Sequence, residues 1–389
     1  MSRRKRMNDY NASLRRAITI EDLRLLARKR LPRIVFDYLD GGSESEVTLR
    51  ANQAAFDQVK FRPRYGISVN HCDLRVRVLD TSVSLPLLLA PIGYSGLLSP
   101  GGELAAAKAA AAAGTIYVLS TFSGQRLEEV QKAGRHVWYQ LYLLGSREAA
   151  ESAIARAEAA GISALVLTVD TIVPGMRLRD IRNGASELLA GRFFSKLPFL
   201  EQLLRRPRWL VRYFRNGGLP RLKNVVLPGR GALSVLEARQ DVLTWEDFRW
   251  IRKLWRGPIV VKGILTGDDA RRALDEGAHA IVVSNHGGRQ LDGLPASLRV
   301  LPEVLRAVDG RAEVYMDSGI RRGSDAVKAI CLGARAVLCG RAFAYGLAAA
   351  GEHGVARSLE ILQDDLERTL KLLGCGSITM LDPSYVMQD

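Results

Sequence analysis

Eight short apolar runs, separated mostly by helical stretches, constrain this chain more than any other feature. The runs are Leu85–Ala90, Ile116–Ser120, Val137–Tyr142, Ala164–Val169, Ile259–Lys262, Ala280–Ser284, Val314–Asp317 and Ala336–Cys339. The stretches between most of them end in glycine, at Gly114, Gly134, Gly161, Gly277, Gly310 and Gly333, where a helix stops before the next strand. Thr244-x-x-Asp247 and Thr266-x-x-Asp269 have the spacing of a capping box. Strand–helix units repeated eight times predict an α/β fold, a closed parallel (β/α)8 TIM barrel. A doubly wound open sheet is the alternative, and eight regular units favour the barrel.

The pattern is extended at its front and broken once inside. Thr19 to Lys29 reads as an amphipathic helix with Ile20, Leu23, Leu26 and Ala27 on one face. After Leu31-Pro32, a second helical stretch carries Ile34, Val35, Phe36 and Tyr38 into Asp40-Gly41-Gly42. Residues 49–80 read as a loop and short-strand cover. Residues 1–17 read as a disordered basic arm; no apolar segment follows the opening cations, so a signal peptide is not expected. The remainder, 18–389, is expected to be one barrel domain.

The break lies between Val169 and Thr244, with an insertion at about 178–240 after the fourth strand. There Phe193-Phe194, Leu197, Phe199-Leu200, Leu203-Leu204, Trp209-Leu210-Val211 and Tyr213-Phe214 alternate with Arg192, Lys196, Arg205, Arg206, Arg208, Arg212 and Arg215. Bulky apolar residues mixed with cations predict a segment lying on an anionic membrane surface. The alternative is a lid whose apolar residues dock on the barrel. The formal net charge of +15 agrees with an anionic partner, and no motif points to nucleic acid. Four cysteines without paired spacing argue against a metal site or a disulfide framework and suit the cytoplasm. No run of eighteen apolar residues offers a spanning helix.

In such a barrel the chemistry sits at the carboxyl ends of the strands. Those ends read Pro91-Ile92-Gly93, Ser120-Thr121-Phe122, Gln140-Leu141-Tyr142, Thr168-Val169-Asp170, Lys262-Gly263, Ser284-Asn285-His286, Asp317-Ser318-Gly319 and Gly340-Arg341. His286 can exchange a proton near neutral pH, and Arg289, three residues on, offers a planar fork for a carboxylate. Asp317-Ser-Gly-Ile-Arg321-Arg-Gly323 and Gly340-Arg341 follow the last two strands, the usual place for a phosphate. A base, a carboxylate clamp and a phosphate site on one rim describe an enzyme acting on a small acid.

These residues resemble the FMN-dependent α-hydroxy acid dehydrogenases and oxidases, the flavin L-lactate and mandelate dehydrogenases and glycolate oxidase. The resemblance runs from about Ile20 to the C-terminus. It rests on Phe36-Asp-Tyr38, Gly41-Gly42, Gln140-Leu-Tyr142, Leu167-Thr-Val-Asp170, Val261-Lys-Gly263, Ser284-Asn-His-Gly-Gly-Arg-Gln-Leu-Asp292, Asp317-Ser-Gly-Ile-Arg-Arg322 and Gly340-Arg341. It implies that His286 is the catalytic base, oriented by Asp170, while Arg289 and Arg177 hold the substrate carboxylate beside Tyr38 and Tyr142. It implies FMN as cofactor, with Lys262 near the flavin pyrimidine edge and Ser120, Gln140 and Thr168 on the ring. Pro91, Ile92, Gly93, Ser284, Asp317, Ser318 and Gly319 would also contact the cofactor, and Arg321, Gly340 and Arg341 would hold its phosphate.

Phe122 stands where glycolate oxidases typically carry Trp, and Gly93 where they usually carry Ala. Gly93 and the long basic insertion look more like the bacterial lactate and mandelate dehydrogenases. The resemblance therefore implies oxidation of an L-2-hydroxy acid, L-lactate first, with electrons passed to quinone or another carrier. It also implies peripheral contact with the inner face of the cell membrane and a homotetramer. No haem domain is expected ahead of the barrel. An oxidase that passes electrons to O2, a dehydrogenase for larger mandelate-type acids, and an inactive barrel serving as a binding module are the rival readings.

Overall fold

A computed structural model describes residues 13–184, 200–216, 218, 221–227, 231–233 and 240–388. Its centre is eight strands: β1 (Leu87–Leu89), β2 (Tyr117–Ser120), β3 (Val137–Leu141), β4 (Ala164–Thr168), β5 (Ile259–Ile264), β6 (Ala280–Val283), β7 (Glu313–Met316) and β8 (Ala336–Cys339). They pair in parallel in chain order and close, with Val337, Leu338 and Cys339 of β8 opposite Leu87, Leu88 and Leu89 of β1. The TIM barrel expected from the eight apolar runs is the fold.

Each strand is buried on both faces, which explains the unbroken apolar runs. Leu88, Val118, Trp138, Val166, Val260, Val282, Tyr315 and Leu338 form one cluster inside the barrel, with the Trp138 and Tyr315 rings 5.8 Å apart. Their sequence neighbours Leu87, Leu89, Leu119, Val137, Val261 and Val283 point outward into the larger core under the helices. The short hairpin Val76–Val78/Thr81–Val83 adds Val76, Val78 and Val83 to the inner cluster and so covers the barrel floor. Five of the six helix-ending glycines take positive φ, for example Gly333 at 111°, and Gly134 ends its helix from an extended conformation instead. Thr244 and Asp247 form the full reciprocal cap, and Thr266 accepts from Asp269 N.

Before the barrel come α1 (Ile20–Arg30), capped by Thr19 and Asp22, and α2 (Arg33–Asp40). Two expectations need correction here. Part of the 49–80 stretch is not a loop, because Val47–Gln58 is a helix, α3. Its buried side carries Thr48 and Asn52 beside Ala55 and Phe56, so no apolar stripe marks it. Its N-terminus is capped from afar, by the Asp292 carboxylate on Val47 N and Thr48 N. Of the basic arm, residues 1–12 lie outside the described residues, but Leu14 and Ala17 are buried in the core. Arg357 holds the Ala17 carbonyl through Nε and Nη2. The arm's last residues are thus docked.

Within the insertion, Arg192, Phe193-Phe194, Lys196, Leu197 and Phe199 lie outside the described residues. The described part includes helices Leu178–Arg182, Leu200–Leu204 and Pro207–Arg215 and the strand Leu222–Leu227. Trp209 stacks on Tyr213 at 5.0 Å and donates from Nε1 to Leu97 O at 2.8 Å, which docks one face on the barrel. Leu204, Val211 and Phe214 are 66%, 50% and 68% exposed. This segment thus docks one side on the barrel through Trp209 and leaves apolar side chains exposed on the other. Among the described residues no helix is long and apolar enough to cross a membrane. All four cysteines are free and buried, and no metal-ligating cluster occurs among the described residues.

After β8, helix Arg341–Ala350 packs on helix Glu352–Leu373 where Gly346 meets Gly354 and Ser358. A Cβ on Gly346 would overlap the Gly354 carbonyl oxygen. Gly346→Ala is expected to lower stability by about 1–3 kcal/mol, read as a fall in denaturation midpoint.

Candidate active site

The inner face of the barrel changes character over one step at its carboxyl end. Two residues beyond Val118, Trp138, Val166, Val260, Val282, Tyr315 and Leu338, on the same face, stand Ser120, Gln140, Thr168, Lys262, Ser284, Asp317 and Gly340. Strand periodicity alone thus raises a polar ring above an apolar plug. A cavity opens over it, walled by Ala90, Pro91, Ile92 and Gly93 after β1 and by Tyr38 from α2. Tyr142, Arg177, His286, Arg289, Ser318, Gly319, Arg321 and Arg341 complete the wall.

His286 begins a turn in which three successive residues are left-handed, at φ 58°, 67° and 71° for His286, Gly287 and Gly288. A histidine held there costs about 1 kcal/mol, so the turn needs support. Each amide has it: His286 N donates to Ser284 Oγ at 3.0 Å, Gly287 N to Ser318 Oγ at 3.0 Å, and Gly288 N to Asn285 Oδ1 at 3.2 Å. Asn285 is in turn locked to Asn52 of α3 by two reciprocal 2.8 Å amide bonds.

The turn sets His286 Nδ1 3.0 Å from Asp170 Oδ1. Burial pushes the Asp170 carboxyl up, but His286 and then Lys262 outweigh it and hold it below its usual range. Asp170 is therefore a carboxylate that fixes the imidazole, and Nε2 is the ring nitrogen left for the cavity. Lys262 Nζ lies 3.0 Å from Asp317 Oδ2 and donates to Ser284 Oγ at 2.8 Å. Burial pulls the ammonium down, yet the Asp317 and Asp170 charges outweigh it and keep it above its ordinary value. A fixed cation results.

On the opposite wall the rings of Tyr38, Tyr94, Phe122 and Tyr142 touch in sequence, with centroids 6.2, 5.3 and 5.4 Å apart. The Arg289 guanidinium lies 4.9 Å from the Tyr38 ring and donates to the Tyr38 and Gly41 carbonyls. Arg177 pairs with Asp180 at 2.8 Å. Among the described residues Arg289 has no carboxylate partner, and burial followed by the nearby Arg177 charge depresses its pKa. Two cations leaning on one another with a single acid between them make a place for an anion.

Three of the expected cofactor contacts also have partners within the protein. Ser284 is wholly buried, and its hydroxyl accepts from Lys262 Nζ and from the His286 amide. Asp317 lines the cavity, but its carboxylate is engaged with Lys262 and Ser318 Oγ. Arg341 spends three N–H groups on the carbonyls of Leu39, Gly41 and Gly287, which ties the N-terminal extension to the rim. Residues that sequence reasoning passed over are Asn52, Tyr94, Gln290 and Gly263. Gln290 bridges the carbonyls of Asp170 and Val173, and a Cβ on Gly263 would come 2.7 Å from Asp170 Cβ. Only the Val261-Lys-Gly263 motif hinted at that last role.

Known proteins share this architecture. A family model described as FMN-dependent dehydrogenase matches residues 27–388. The chain belongs to that family. An L-lactate oxidase of Nostoc sp. is 42% identical over 95% of this chain and 98% of its own. An (S)-mandelate dehydrogenase of Pseudomonas putida is 41% identical over 95% and 94%, and an L-lactate dehydrogenase of Pseudomonas aeruginosa 42% identical over 95% and 97%. A crystal structure described as monotopic membrane protein (S)-mandelate dehydrogenase superposes with TM-score 0.89 at 40% identity, covering 96% of this chain and 100% of that one.

The cavity of this FMN-dependent dehydrogenase fits the cofactor of its family. Gln140 Nε2 and Thr168 Oγ1 are buried polar atoms of wall residues with no hydrogen-bond partner among the described residues, as a ring with hydrogen-bonding edges requires. Arg321 and Arg341 have no carboxylate partner among the described residues, and burial pulls Arg341 down to about 9. A phosphate supplies the missing countercharge. Asp170→Asn is expected to slow flavin reduction by substrate roughly 10²–10⁴-fold, because an amide at that place favours the wrong imidazole tautomer. FMN content and visible spectrum should stay as in the parent protein, and stopped-flow bleaching of the flavin reads the difference.

Proposed function

We propose that this protein oxidises an L-2-hydroxy acid, L-lactate first, to the 2-oxo acid, and passes the electrons to quinone or another carrier. The observation that carries the reading is the His286–Asp170 pair at 3.0 Å, facing the same cavity as the carboxylate-free guanidinium of Arg289. Arg289, with Arg177 at the rim, grips the substrate carboxylate. The Tyr38 and Tyr142 hydroxyls, on the same wall, orient the carboxylate and the 2-hydroxyl. His286 Nε2 takes the hydroxyl proton, and the imidazolium so formed is stabilised by Asp170. FMN held in this cavity would supply the acceptor for the electron pair and the hydrogen that leave the substrate carbon as the 2-oxo group forms. Lys262 stays protonated, and its charge would favour the electron-rich form of the ring. Gln140 and Thr168 would hold the ring edge, and Arg321 and Arg341 its phosphate.

Purified protein should be yellow, and excess L-lactate should bleach it without oxygen. His286→Ala should retain FMN and lose roughly 10²–10⁴-fold in bleaching rate. A flavin that no 2-hydroxy acid reduces would sink the proposal. The kinship with a named L-lactate oxidase supports a second reading, in which O2 is the acceptor. Stoichiometric peroxide from lactate in air selects it. Phe122, smaller than a Trp at that place, and the (S)-mandelate dehydrogenase relative support larger substrates, and the same bleaching assay with mandelate measures them.

We further propose that the protein lies on the cytoplasmic membrane surface. Helix Pro207–Arg215 supports this, with Val211 and Phe214 exposed one turn apart among Arg208, Arg212 and Arg215. The monotopic relative adds to it. Val211→Ser/Phe214→Ser is expected to move the enzyme from membrane pellet to supernatant with FMN still bound. A variant that stays in the pellet overturns the assignment.

A further inference from the structure

A second cavity, of about 640 Å³, opens where α1 and α2 meet the insertion, and shares no lining residue with the catalytic cavity. Half of its lining residues are arginine. Most of those charges are accounted for. Asp40 takes Arg24 and Arg179 together with the Tyr345 hydroxyl, Asp37 takes Arg33 at 3.4 Å, and Glu201 takes Arg205. These pairs leave two guanidinium groups, Arg28 of α1 and Arg206 of the insertion, facing the cavity with no carboxylate partner among the described residues. Arg206 gives Nε to Leu31 O at 3.1 Å and Nη1 to Arg205 O at 3.2 Å, which fixes the group without neutralising it.

The end of α1 explains only half of this. Arg28, Lys29 and Arg30 occupy its last turn, where the helix dipole favours cations. Arg206 belongs to another element and gains nothing from that dipole. The charges also crowd further along the same junction. Burial, and then the charges of Arg212 and Arg208, pull Arg30 down to about 10. Chain segments that bring like charges together around a cavity leave room for an anion to relieve them. Arg206 immediately precedes helix Pro207–Arg215, and Leu204, Val211 and Phe214 stand exposed on either side of it. Apolar side chains flanking an anion cleft fit an amphiphile better than a free ion.

We propose that this cleft is a headgroup site: Arg28 and Arg206 grip the phosphate of an anionic phospholipid, while Leu204, Val211 and Phe214 enter the adjoining acyl layer. The inference rests on the membrane-surface reading given above and goes beyond it, since it replaces a diffuse attraction by two named residues. A bidentate fork on a phosphate is specific, whereas general surface charge is not.

The test uses the FMN-loaded enzyme and sedimentation with vesicles of phosphatidylcholine alone or mixed with phosphatidylglycerol. The parent enzyme should bind the mixed vesicles roughly tenfold more tightly than the neutral ones. Arg28→Ala/Arg206→Ala should lose most of that preference and keep the weaker binding to neutral vesicles. Arg208→Ala/Arg212→Ala, which removes the same charge from the neighbouring helix, should keep most of it. Arg28→Gln/Arg206→Gln preserves side-chain bulk and is expected to behave as the Ala pair, with 2-hydroxy acid turnover unchanged in all variants. Equal loss in both Ala pairs, or no loss in the first, overturns the site and leaves the membrane reading standing. A parent enzyme that binds neither vesicle overturns the membrane reading itself. Stabilisation of the parent but not of the first pair by inorganic phosphate, without any vesicle preference, assigns the cleft to a free phosphate and overturns the lipid.

Discussion

The left-handed turn at His286–Gly288 is the constraint on which the rest of the site depends. A histidine at φ 58° is held there only because its own amide and the next two each meet a side-chain oxygen, from Ser284, Ser318 and Asn285. Those oxygens come from the residue after β6, from the loop after β7 and from the turn, and the last is locked by Asn52 of α3. The catalytic geometry is therefore fixed by four elements at once. Stored backbone strain is tolerated where the surroundings over-determine the conformation.

The second organising quantity is charge. The rim concentrates Lys262, Arg289, Arg321 and Arg341, with Asp170 and Asp317 as the acids of the pocket. Lys262 is matched by Asp317 and stays a fixed cation, and Asp170 is matched by His286 and stays a carboxylate. The arginines are left with backbone carbonyls, which hold their direction without cancelling their charge. A pocket wired in this way favours anions at two ends, one beside Tyr38 and one beside Arg341, where the proposed function puts the substrate carboxylate and the cofactor phosphate.

Much of this was legible in the residues. Period-two alternation needs no tertiary information, so the polar ring two positions beyond the apolar plug could be read at Ser120, Gln140, Thr168 and Lys262 directly. The helix α3 could not be read, because its buried face is Thr48 and Asn52 and its cap is Asp292, some 240 residues away in sequence. The partners of Ser284 could not be read either. Its place in the strand says that it points inward, but only the tertiary structure brings Lys262 Nζ to its hydroxyl at 2.8 Å.

By itself, then, the chain's pattern of apolar runs and glycine stops determined a closed parallel barrel, and its motifs determined the polar rim and the family. Both follow from local periodicity, which the backbone expresses wherever it goes. Only the tertiary structure decided which polar groups bind each other and which remain free to bind something else. That division fixes Arg341 on three carbonyls and Asp317 on Lys262, and leaves Arg28 and Arg206 without an acid among the described residues. It depends on distances between residues hundreds of positions apart, and no local pattern carries those.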